Sequence, residues 1–171
     1  MDRPGARALN GGMTTLRGTM LVLATLSMGM MAGVFALYSH AIMPGLGRTD
    51  DRTFVGAFQS VDRAIVNPWF MLTFIGALAF TAAAALLHIG RAALPWILVA
   101  VVLYLVAFAV TIGVHVPMND ALKAAGDPDR IGDLAAVRSR FDEGRWATWN
   151  LVRTLTSTVA AGSLAVALLQ R

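Results

Sequence analysis

Charged side chains are missing from three long windows, residues 18–47, 64–90 and 92–119, and again from 154–170. Each of the first three windows holds roughly 20 apolar residues, about 30 Å of helix, which matches the hydrocarbon thickness of a bilayer. The fourth run extends back through Arg153 and Asn150. The pattern therefore predicts four membrane helices, at 16–38, 68–88, 94–116 and 149–169. A water-soluble bundle would carry a polar stripe on each helix, and these segments have none. The expected fold class is all-α, a four-transmembrane-helix bundle in one domain over residues 16–171. Residues 1–15, rich in Gly and Arg, read as a disordered tail.

Four crossings put both termini and the short Gly90–Ala93 link on one side. The long connections, 40–67 and 117–148, share the other. In the first, Phe54, Phe58, Val61 and Ile65 recur at i, i+4, i+7 and i+11, with Arg52, Gln59, Asp62 and Arg63 on the opposite face. That spacing predicts an amphipathic helix, lying on the membrane or closing the mouth of the bundle. It should stop at Asn67-Pro68, where asparagine caps and proline opens the next helix. The second connection should hold a short helix after Asn119 and another over 131–141, with Gly126, Pro128 and Gly144 as breaks. Small residues at Gly29 and Gly33, at Ala161 and Ala165, and through Thr81–Ala85 suit close helix contacts, within the bundle or in a homo-oligomer.

Composition narrows the function classes. Of 171 residues, 57% are hydrophobic and 14% charged, too apolar for an ordinary soluble domain. There is no cysteine, which excludes disulfides, thiolate metal sites and thiol redox chemistry. The net charge of +4 comes from arginines scattered through loops, without a basic, aromatic-studded face, so the expected partner is the lipid bilayer and not nucleic acid. The first apolar run is too long for a cleaved signal and reads as a retained anchor. Arg17, Arg91 and Arg171 favour cytoplasmic N and C termini for this multi-pass chain. Against that, the long connections hold Arg48, Arg52, Arg63, Lys123, Arg130, Arg138, Arg140 and Arg145.

The candidate chemistry lies at the end that faces the long connections. The first helix leads into Tyr38, Ser39 and His40, and the second opens at Asn67. The third ends through Thr111, His115, Pro117, Asn119 and Asp120, and the fourth starts with Trp146, Trp149, Asn150 and Arg153. Asn150, Arg153 and Ser157 share one helical stripe. If it faces inward, the guanidinium is a fixed cationic fork for an anionic oxygen at the mouth of an apolar pocket. Each residue also has a plainer reading. Arg153 can reach lipid phosphate, Asn67 and Asn119 can cap helices, and the tryptophans can form an interfacial belt. His40 and His115 lack metal-ligand spacing, so no metal site is expected.

Three stretches carry a resemblance: MPGLGRTDDRTFVGAFQSVDRAIVNPWF (43–70), VTIGVHVPMNDAL (110–122) and FDEGRWATWNLVRTLTST (141–158). Together they resemble the anthrone oxygenase-like family of small four-helix membrane proteins, most of them of unassigned function. The resemblance implies a cofactor-independent oxygenase that uses molecular oxygen as co-substrate on a small aromatic ligand. In that reading His115 or His40 serves as base and Arg153 clamps a phenolate together with Asn150 and Asn67. Asn119 lines the site, and Trp69 and Trp149 form its walls. The alternative is a non-enzymatic accessory subunit whose polar cluster only pins the loops to the bundle. An open cavity beside Arg153 separates the two.

Overall fold

The computed structural model describes the backbone of residues 4–170 and the side chains of residues 11–170. Among the described residues the chain is helical with no strand: α1 (Pro4–Leu37), α2 (Met43–Leu46), α3 (Asp51–Ile65), α4 (Pro68–Leu87), α5 (Leu94–Val110), α6 (Val116–Ala124), α7 (Leu134–Phe141) and α8 (Glu143–Leu169). Four helical stretches, Gly11–Leu46, Pro68–Leu87, Leu94–Ala124 and Leu134–Leu169, are long and apolar enough to cross a membrane. This is a multi-pass membrane protein. Its outward faces carry exposed Leu26, Met30, Leu72, Val102, Leu155 and Val159, side chains that only lipid can cover at no cost.

The bundle is built around α1 and α8. α1 packs against α4 and α8, α8 packs against α5, and α4 meets α5 more sparsely. Small residues permit the close approach: Ala24, Ala77, Ala84, Ala100, Ala107 and Ala160 are buried. The buried Tyr104 hydroxyl is satisfied across helices, its Oη donating to the Phe74 carbonyl of α4 at 2.9 Å, whereas the buried Ser157 Oγ has no partner. Thr81 and Ala85 face this core, whereas Gly29 and Gly33 look outward onto open space. That pair is free of any contact inside the bundle.

Two helices run further than the polar pattern suggested. α1 continues through a π-helical turn, Tyr38–Ile42, into α2, and α5 continues through a second, Thr111–His115, into α6. Each π turn ends two residues before a proline, Pro44 and Pro117. Proline lacks an N–H and crowds the carbonyl four residues back, and the wider turn relieves both problems without ending the helix. α8 also starts early, at Glu143 and not at Trp149. Asp142 sits in the left-handed region at φ 54° and its carboxylate accepts from the Arg145 amide, so Gly144 lies inside the first turn and is no break. At the other terminus, part of the expected tail, residues 1–3, lies outside the described residues. Residues 11–15 instead prolong α1 as exposed helix, since propagation from a formed helix costs little.

α3 spans the expected residues but is turned about its axis. Its buried face is Phe54, Val55, Phe58, Gln59 and Asp62, while Val61 is exposed. Gln59 and Asp62, expected on the outer face, are buried because α3 packs on protein that offers them partners. Gln59 Nε2 donates to the carbonyls of Leu122 at 2.9 Å and Gly126 at 3.0 Å. Asp62 accepts from Asn119 Nδ2 at 2.7 Å and pairs with Lys123 at 2.8 Å. α3 thus closes the bundle mouth, and Met43, Phe54, Phe58, Leu122, Phe141 and Trp146 form a second small core beneath it. Its start is capped by Asp50, whose carboxyl is held below the usual value by the Thr53 amide and hydroxyl.

Candidate functional site

Arg153 points into the bundle and is only 6% exposed. It reaches that position because α8 is fixed from Asp142 onward, putting Asn150, Arg153 and Ser157 on the face that meets α1 and α5. One terminal nitrogen donates to Asn150 Oδ1 at 2.7 Å, the other to Thr111 Oγ1 at 3.2 Å. Nε has no partner. The planar cation lies over the Phe35 ring at 4.4 Å and near Trp146 at 5.6 Å. No carboxylate among the described residues pairs with it. A guanidinium has five donors, and two are used here. A desolvated positive charge with spare donors and no counter-ion can bind an anion.

Beside it lies a cavity of about 110 Å³, lined among others by Phe35, Tyr38, Thr111, His115, Trp146 and Arg153. Most of the remaining lining is apolar, with Asp62 and Asn119 as the other polar members. Val61, Val66 and Val116 line it while staying partly exposed, so the rim is apolar. Both π turns contribute: Tyr38 comes from one, Thr111 and His115 from the other. π turns shift the register of whatever follows and recur at functional positions.

His115 is buried, 1% exposed. Its Nε2 faces the Trp146 carbonyl at 3.3 Å and its Nδ1 has no partner. A carbonyl only accepts, so the neutral tautomer that makes this bond carries its proton on Nε2 and its lone pair on Nδ1. The ring stands edge-on to Trp146, centroids 4.8 Å apart. Trp146 in turn donates from Nε1 to Asn119 Oδ1 at 2.9 Å, and Asn119 donates to Asp62. Among the described residues no three His, Asp or Glu side chains gather in a way that could hold a metal ion.

The structure sorts the expected site residues. His115, Asn119 and Arg153 border the cavity. Asn150 stands behind Arg153 with both amide donors used, since Nδ2 donates to the Phe35 carbonyl at 2.9 Å and Ser39 Oγ at 2.7 Å. Four others are elsewhere. Asn67 is a helix cap, accepting from the Trp69 and Phe70 amides at 3.0 Å. Trp69, 78% exposed, and Trp149, 38% exposed, face outward as an interfacial belt and form no wall. His40 is exposed and away from the cavity. Trp146, one turn before Trp149 on α8, takes the wall position: it is 2% exposed and lines the cavity, whereas Trp149 sits at the outer edge of that side of the helix. Phe35 and Asp62 also line the cavity without having been singled out. The inward stripe of Arg153, counted back one and two turns, could have pointed to Trp146.

A family model described as anthrone oxygenase matches residues 69–163, more than half of the chain. The match takes in His115, Asn119, Trp146, Asn150 and Arg153, and leaves out α3 and the Tyr38 turn. No curated protein and no solved structure matches the chain.

Proposed function

The chain belongs to the anthrone oxygenase family, and from that premise we propose that it oxidises a phenolic aromatic substrate with molecular oxygen in the cavity beside Arg153. One observation carries the reading: a buried guanidinium with a free Nε and no counter-ion shares an apolar cavity with a histidine whose Nδ1 is unpartnered. A structural strut would be fully satisfied.

The residues divide the work as follows. His115 Nδ1 takes a proton from the benzylic carbon opposite the substrate carbonyl. Arg153 holds the enolate or phenolate oxygen as charge moves onto it, while Asn150 and Thr111 fix the guanidinium plane. Phe35 and Trp146 flank the aromatic body. The carbanion reduces oxygen and a carbon–oxygen bond forms, giving a hydroperoxide. Loss of water then leaves the ketone. The balance is CH2 + O2 → C=O + H2O, with one oxygen atom in each product, and no added cofactor enters it.

At about 110 Å³ the cavity is smaller than the roughly 300–1,000 Å³ of typical ligand sites. A tricyclic substrate therefore displaces part of the wall, and α3, the one wall element outside the four spans, is the element to yield. The apolar rim at Val61, Val66 and Val116 suits a substrate that arrives dissolved in the bilayer. We place both termini in the cytoplasm, from Arg17 and Arg91 beside the spans, which puts the cavity at the opposite face. The outward Gly29–Gly33 face is available to a second copy.

The non-enzymatic reading draws on Asn150 and Asn119, both hydrogen-bonded to residues of neighbouring elements. Turnover separates the two. Purified protein is given 1,8-dihydroxyanthrone as probe, and oxygen uptake and quinone formation are followed above the buffer rate. The enzymatic reading expects a protein-dependent rate that His115→Ala and Arg153→Ala together abolish. An unchanged rate in that double variant sinks it and leaves the accessory role.

A further inference from the structure

A second concavity, of about 570 Å³, lies on another face of the same bundle end and shares no lining residue with the Arg153 cavity except the neighbourhood of α6. Gly113, Val114 and Pro117 from the third span and Ala121 and Ala124 from α6 give it an apolar floor. Arg140, near the end of α7, and Arg145, in the first turn of α8, stand at its edge.

Neither guanidinium makes an ion pair among the described residues. Arg140 Nε donates to the Ala136 carbonyl of its own helix at 3.2 Å, and the rest of its donors are open. The nearby acids are committed elsewhere. Asp142 caps α8, Glu143 binds Arg138 and Asp120 binds Lys123. The charge left facing the groove is positive.

Its depth in the bilayer follows from the tryptophans. Exposed Trp69 and Trp149 mark the interfacial level at this end. Arg145 lies four residues before Trp149 on the same helix stripe, about 6 Å further out, at the height of lipid phosphate. Gly113 and Val114 belong to the span and lie deeper. The groove therefore runs from the two arginines at headgroup level, alongside α6 at the height of Phe141 and Trp146, inward to Gly113 and Val114 at the edge of the acyl region.

We propose that this groove is a binding site for an anionic phospholipid, with the phosphate between Arg140 and Arg145 and an acyl chain along Gly113 and Val114 of the Thr111–His115 turn and the small residues of α6. Its volume lies in the range of small-molecule sites. A free phosphate would satisfy the arginines but leave the apolar floor without a partner, so the lipid is the occupant.

The test uses the full chain in detergent, with retained lipid measured by native mass spectrometry after addition of phosphatidylglycerol or phosphatidylcholine. The expected result is preferential retention of phosphatidylglycerol. Arg140→Gln with Arg145→Gln should lower its retention roughly 30-fold, at roughly fivefold for each basic contact, and leave phosphatidylcholine unchanged. Ala121→Phe, which fills the groove without touching a charge, should lower retention as well. A thermal melt confirms that each variant is folded. Wild-type retention in either variant overturns the proposal, and so does displacement of the lipid by an equal concentration of inorganic phosphate.

Discussion

Arg153→Met keeps the length and apolar stem of the side chain and removes only the guanidinium, so it asks whether the charge serves the fold or the ligand. Two stability effects oppose each other. Burying an arginine at membrane depth costs about 2.5–3.5 kcal/mol on insertion scales, and methionine removes that cost. Against it stand the charge-assisted bond to Asn150 Oδ1 at 2.7 Å, about 1.5–3 kcal/mol, and the stacking on Phe35 at 4.4 Å, about 0.5–2 kcal/mol. The difference is within about 2 kcal/mol in either direction, so the melting temperature should move by no more than about 8 °C. Binding has no such cancellation. An anion placed beside Arg153 loses its only cationic partner and stays buried, a loss of about 3–5 kcal/mol, or roughly 10²–10⁴-fold in affinity. Trp146 lines the cavity, so its fluorescence reports occupancy, titrated with 1,8-dihydroxyanthrone under argon to prevent turnover. The reasoning is refuted if Arg153→Met melts more than about 10 °C lower while the folded fraction binds the probe as the wild type does. That pattern describes a strut.

His115→Gln should leave probe binding within a few-fold and lower the oxidation rate by about 10²–10⁴-fold, the usual contribution of a positioned base, read as a kcat change with KM nearly constant. Asn67→Ala removes a helix cap and no ligand contact. It should cost about 1 kcal/mol, seen as a melting shift of about 2–4 °C, with turnover per folded molecule unchanged. Val66→Trp places a bulky ring on the rim of the cavity. It should slow probe association measured by stopped-flow quenching and leave the melting temperature where it was, and an unaltered association rate would move the access route elsewhere.

The sequence by itself determined the membrane class, the four spans, the two-sided layout and the end at which polar groups collect. Those follow from one-dimensional quantities: the length of an uncharged run against bilayer thickness, and the parity of crossings. It also placed Arg153, Asn150 and His115 as the residues to watch, because an arginine or asparagine within a span needs a reason. The tertiary structure decided which of the polar residues at that end meet. Asn67, Trp69, Trp149 and His40 lie at the right depth but on the wrong face, and depth is what a hydropathy pattern records. α3 turned Gln59 and Asp62 inward since a protein surface offered them donors and acceptors that lipid does not have. The π turns before Pro44 and Pro117 hold Tyr38, Thr111 and His115, which line the cavity, and shift the register of the helix beyond them, a change with no period of its own in the chain. Facing is set by how helices pack, and packing depends on every residue of the partner helix at once, which no local stretch contains.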